Sequence, residues 1–79
     1  MDVVRGSVVR VLAGRDKHKF FVVVGVEERR VSLCDGKGRR LENPKSKNII
    51  HIAPTAAVLT EQQMTTNRSI RNELLSFCI

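Results

Sequence analysis

Residues 3–29 read VVRGSVVRVLAGRDKHKFFVVVGVEER: two valine-rich runs separated by one charged break that contains a glycine. Neither run has a helical period of 3.6, and β-branched residues dominate both, so each reads as a strand. The first is Arg5–Ala13, where Ser7, Val9, Val11 and Ala13 share a face. The second is Phe20–Glu27, where Phe20, Val22, Val24 and Val26 share one. We expect these two sets to point inward. Gly14-Arg15-Asp16-Lys17 is the turn between the strands, and a tight connection of this kind calls for a positive φ that only glycine adopts cheaply, at Gly14.

Further along, Val31 and Leu33 alternate with Arg30 and Ser32 as a third strand. Asp35-Gly36-Lys37-Gly38 turns the chain into a short fourth strand around Arg39–Glu42, which Asn43-Pro44 ends. Asn48–Ala53 is a fifth; Ile49, Ile50 and Ile52 put apolar residues on both parities and leave the direction of His51 open. The expected fold is therefore mainly β: a small five-stranded barrel, because closure removes edges that such short strands cannot protect. The composition changes after Pro54, which sets residues 1–54 as the barrel domain and 55–79 as an extension with a short helix around 67–77. Asn67 can cap that helix, and Ile70, Leu74 and Phe77 fall on one face. So short a helix is marginal alone in water, so its stripe needs a partner. Val8, Leu12, Phe21 and Val23, of the opposite strand parity, offer one; a partner protein offers another.

A chain of 79 residues, 42% hydrophobic and 28% charged, is one small folded domain rather than a disordered segment. No run approaches the ~18 apolar residues of a membrane span. Met1-Asp2-Val3-Val4-Arg5 lacks the basic-then-apolar order of a signal peptide, so we expect a cytoplasmic protein with no membrane contact. Cys34 and Cys78 then read as reduced thiols, Cys34 as a small apolar strand residue.

Lys and Arg outnumber Asp and Glu by 12 to 6 in residues 1–54 and match them 2 to 2 in 55–79, so the whole net charge of +6 belongs to the first part. Arg15, Lys17 and Lys19, with His18 beside them, form one cluster; Lys37, Arg39, Arg40, Lys45 and Lys47 form a second. Both coincide with turn residues. A run of cations is often only a solvated face, but two loop-borne clusters of one sign in so small a domain favour a polyanion-binding surface. Arg68 and Arg71 lie outside the charged region. No nucleophile elbow, phosphate loop or paired carboxylates point to catalysis, and Cys34, Cys78, His18 and His51 lack metal-ligand spacing, so neither enzyme activity, cofactor nor metal is expected. Phe20, Phe21 and Phe77 are the only aromatics, all in apolar runs, and read as core. Recognition should then rest on phosphates and shape, with little base readout.

Residues 3–29 resemble a KOW motif: alternating apolar residues around a glycine, here Gly14, flanking basic residues and a valine-rich second strand. DGKGRRLENPKSKNIIHI, residues 35–52, is similar to the second half of small stand-alone KOW-domain RNA-binding proteins related to a large-subunit ribosomal protein of archaea and eukaryotes. The resemblance covers roughly residues 3–54 and no part of the C-terminal segment. It implies an SH3-like barrel that contacts RNA, most naturally ribosomal RNA, through the loop after Gly14. KOW domains in transcription elongation factors of the NusG type also dock on proteins, so ribosomal or transcription proteins stay open as partners. The expectation is a monomeric RNA-binding module of the translation apparatus, with Arg15, Lys17, His18, Lys19, Lys37, Arg39, Arg40, Lys45 and Lys47 on the RNA. The alternative is a protein-docking adaptor that uses the apolar tail or outer strand face.

Overall fold

The length of the break after Val11 decides how the first two strands meet. The structure, a computed structural model, describes residues 3–77. In it β1 (Ser7–Val11) and β2 (Phe20–Glu27) pair antiparallel, with Val9 opposite Phe21 and Val8 opposite Val22. Directly opposed residues share a face, so Val9 and Val11 join Phe21 and Val23, not Phe20 and Val22. The inward assignment of Val9 and Val11 holds. For β2 it is reversed, because one residue of register moves every side chain to the other face. Val26, expected inward, is exposed. A bulge between Val23 and Gly25 in the pairing with β3 breaks the alternation before it.

β3 (Arg30–Cys34) follows as expected and pairs with β2. The fourth strand differs. Arg39–Glu42 forms turns and bends, and β4 is Lys45–Asn48, on the far side of Pro44. Asp35 is the physical reason: one carboxylate oxygen accepts from the backbone amides of Lys37 and Arg39 at 2.9 and 2.8 Å, folding this stretch back on itself. Ile49–His51 is a single 3₁₀ turn with His51 exposed, and β5 is Ile52–Val58 rather than Asn48–Ala53. β5 thus runs through Pro54, across the boundary between barrel and extension that the composition suggests. An edge strand tolerates the missing amide.

The five strands make one antiparallel sheet in the order β4-β3-β2-β1-β5. Its two edge strands are joined by only three 3₁₀ residues. Four strand gaps in a flat sheet would span about 19 Å, and such a turn reaches about 6 Å. The sheet must therefore curl until its edges meet at that corner. Hydrogen bonds from Ile49 N to Arg29 O (2.8 Å) and from Leu12 N to His51 O (2.8 Å) pin the corner to both sides. No β4–β5 ladder completes a barrel among the described residues. The fold class is as expected: mainly β, five strands, a short C-terminal helix.

Two apolar clusters result. Val9, Val11, Phe21, Val23, Val31, Leu33 and Ile52 fill one face of the curled sheet. Val8, Val22 and Cys34 lie on the other, covered by Leu59, Met64, Ile70 and Leu74. The helix α1 (Asn67–Leu74) and the 3₁₀ turn Leu75–Phe77 therefore cap the outer face, and the extension is part of the same core. Thr66, not Asn67, caps α1, its hydroxyl accepting from Ser69 N at 3.0 Å. The Asn67 side chain is engaged elsewhere: its Oδ1 accepts from Leu41 N (2.7 Å) and its Nδ2 donates to Glu42 (2.6 Å), tying the helix to the loop after β3. Cys34 is a free, buried thiol, and burial pushes its pKa up to about 11, which removes it from nucleophilic chemistry near neutral pH. Cys78 lies outside the described residues.

Candidate nucleic-acid interface

Gly14 has φ +91°, as the turn requires, and His18 is the one described non-glycine residue with positive φ, at 74°. Between them the loop closes on its own backbone, Lys17 N donating to Gly14 O (3.2 Å) and Lys19 N to Asp16 O (2.9 Å). His18 N donates back to Val11 O at 2.8 Å, so the left-handed residue returns the chain to β2. This geometry turns the side chains of Arg15, Lys17, His18 and Lys19 outward, and all four residues are exposed.

The two basic clusters meet in space. Lys45 Nζ reaches across to Asp16 Oδ2 at 2.6 Å, and Lys47 Nζ donates to Ala13 O at 2.9 Å. Both lysines are half-buried, and their ammonium groups hold the β1–β2 loop against β4. Asp16 also faces Lys19 at 3.6 Å. The hydrogen bond from Lys45 holds the Asp16 carboxyl below its usual range, the charges of Lys45 and Lys19 adding to it against a desolvation cost. Arg40 stands apart, 3.4 Å from Glu42 on the loop that Asn67 anchors. Glu42 is itself held below its usual range, first by the Asn67 hydrogen bond.

Two clefts open beside these loops. The first, of about 400 Å³, lies between the β1–β2 loop and the Asp35–Arg39 turn and is bordered by Arg15, Lys19, Lys37, Arg39 and Lys45. The second, of about 560 Å³, continues from it toward the helix; His18, Lys19, Lys37 and Arg71 border it, over Phe20 and Phe77. Lys19 and Lys37 belong to both. Lys17, Arg40 and Lys47 line neither cleft. Asp16 is paired with Lys45, and Asp35, which lines both clefts, accepts from the amides of its own turn; the cations on the rim outnumber these two carboxylates.

Arg71 lies outside the charged region by its position in the chain, yet it lines the second cleft. The fold brings it to the rim because α1 packs across the sheet beside the Asp35–Arg39 turn. Gly36, φ +77°, is the contact: a Cβ there would stand 3.0 Å from Arg71 N and nearer yet to the Asn67 carbonyl. A glycine within the Asp35–Gly38 turn is the only sequence sign of that approach, and it does not name its partner. The aromatics also divide. Phe21 is fully buried, whereas Phe20 and Phe77 are half-buried, their centroids 5.7 Å apart and their planes tilted by 39°.

Among the described residues no three His, Cys, Asp or Glu side chains gather where they could share a metal ion, and no helix is long and apolar enough to cross a membrane. No protein-family model and no curated protein matches this chain.

Proposed function

We propose that this protein is an RNA-binding module of the translation apparatus, working in the cytoplasm as a monomer and holding structured RNA, ribosomal RNA first, by its phosphates. The observation that carries the reading is the convergence of two loop-borne basic clusters on one cleft, which Arg15, Lys19, Lys37 and Arg39 border, while Asp16 is held by Lys45 and Asp35 by the amides of its own turn. The resemblance of residues 3–54 to stand-alone KOW-domain proteins, with their SH3-like barrels, supports the same reading. Lys45 and Lys47 act here by shaping the loop that presents the contacts. The adaptor alternative loses its main motive, since Ile70 and Leu74 of the apolar tail are buried on the sheet.

The test is a salt titration of RNA affinity. Log affinity should fall linearly with log salt, by about 0.7–0.9 for each phosphate neutralised. Replacing Arg15, Lys17 and Lys19 by Glu should weaken unrelated RNAs by similar factors and flatten the slope, because phosphate contacts carry no base information. Arg68→Glu is the charge control, since Arg68 lines neither cleft. Affinity unchanged in the triple variant but lost in the control overturns the assignment. Co-sedimentation with ribosomal subunits, with and without nuclease, tests the translation role.

A further inference from the structure

The larger cleft joins two chemistries that the phosphate-binding loops alone do not need. Its rim carries three cations, Lys19, Lys37 and Arg71, with His18 and a single carboxylate, Asp35, and its floor is apolar, formed by Phe20, Leu74 and Phe77, with Leu75 at the lip, 60% exposed. Phe20 and Phe77 pack on the outer-face cluster yet leave part of each ring exposed beside these cations, apolar surface that a phosphate chain alone does not use. At about 560 Å³ the cleft falls within the ~300–1,000 Å³ range of ligand sites. It is also continuous, through Lys19 and Lys37, with the basic cleft between the loops.

We infer that this cleft receives one unpaired nucleotide of the bound RNA, its base against Phe20 and Phe77 and its flanking phosphates on Lys19, Lys37 and Arg71. The inference rests on the RNA-binding reading and adds to it the kind of RNA: a helix interrupted by a bulged or looped-out base. Bases within a duplex are stacked and cannot present a face, whereas a splayed base stacks on an aromatic ring whatever its identity. An acidic peptide with an aromatic residue would satisfy the same rim and floor locally. The nucleotide is favoured because the row of cations extends beyond the cleft along both loops, matching a ligand that carries a charge at every step.

The probes are an RNA hairpin with a single bulged uridine and the same hairpin fully paired, measured by fluorescence anisotropy at one salt concentration. The bulged hairpin should bind about tenfold more tightly, within the range that stacking of one base supplies. Phe77→Leu, which keeps an apolar side chain on the core, should abolish that preference and leave the paired hairpin unaffected; Arg71→Gln should weaken the bulged RNA selectively. Should Phe77→Leu fail to fold, side-chain NMR of the parent replaces it, with Phe20, Phe77 and Leu75 signals moving for the bulged RNA and not for the paired one. Equal binding of the two hairpins, with those signals unmoved, overturns the inference and leaves phosphate-based RNA binding intact. Failure of both hairpins to bind overturns the RNA reading itself. A Phe-containing poly-Glu peptide that moves the cleft signals when the bulged RNA does not would assign the cleft to a protein partner instead.

Discussion

Gly36→Ala should be among the most damaging single-methyl additions in this protein. Two costs act together. At φ +77° a Cβ strains the backbone, which costs about 1–2 kcal/mol. The same Cβ would meet main-chain atoms of α1, 3.0 Å from Arg71 N and closer to the Asn67 carbonyl oxygen, and backbone cannot swing aside as a side-chain end can. Relief requires the helix to retreat, loosening Ile70 and Leu74 and the bond from Leu41 N to Asn67. Overpacking of this kind adds about 1–3 kcal/mol. The total of about 2–5 kcal/mol is a large share of the stability of so small a domain. Urea denaturation followed by far-UV circular dichroism measures it, and with a slope of about 1 kcal/mol/M the midpoint should drop by about 2 M or more. Gly38→Ala is the matched control, because a Cβ there meets nothing within 4 Å. Gly14→Ala is intermediate: its φ is +91°, but the only close atom is Lys47 Nζ, which can move. A Gly36→Ala midpoint equal to that of Gly38→Ala would refute the reasoning.

Ile70→Ala empties a fully buried site on the outer face and should cost about 2–5 kcal/mol; a loss below about 1 kcal/mol in the same assay would mean that α1 is not firmly docked. His18→Gly relieves a left-handed residue at φ 74° and, after allowing for glycine's larger unfolded-state entropy, should raise stability by about 0.5–1 kcal/mol; a loss would show that the imidazole makes a compensating contact. Asp16 has a lowered pKa in the folded state, so its contribution is present above the unfolded carboxylate's pKa and is lost as pH falls through the folded one. Stability measured from pH 5 down to pH 2 should therefore fall less steeply in Asp16→Asn than in the parent, and identical slopes would exclude the Lys45 pair as a contributor.

How much of this was legible beforehand differs from element to element. β2 is legible to the residue, since Phe20–Glu27 opens on five aromatic and β-branched residues in a row and is bounded by charges. The glycine turn at Gly14 and the helix stripe at Ile70 and Leu74 were equally plain, because backbone preference and helical periodicity are local properties. The β2 facing was not, because register depends on how many residues the Gly14–His18 loop consumes and on where its two positive φ angles fall. The fourth strand lies elsewhere than periodicity suggests because side-chain bonds take the amides it would need: Asp35 accepts from Lys37 and Arg39, and Asn67 from Leu41.

Charge sign and position along the chain carry the expectation of a polyanionic ligand and single out most of the basic residues. Which of those residues are free is a different matter. Lys45 and Lys47 become struts only because β4 lies beside the β1–β2 loop, within reach of Asp16 and Ala13. Arg71 enters the rim only because α1 crosses the sheet next to Gly36. Local propensities and net charge belong to the sequence itself. Facing, pairing and the joining of distant cations into one cleft arise from contacts between segments far apart in the chain, which no local pattern encodes.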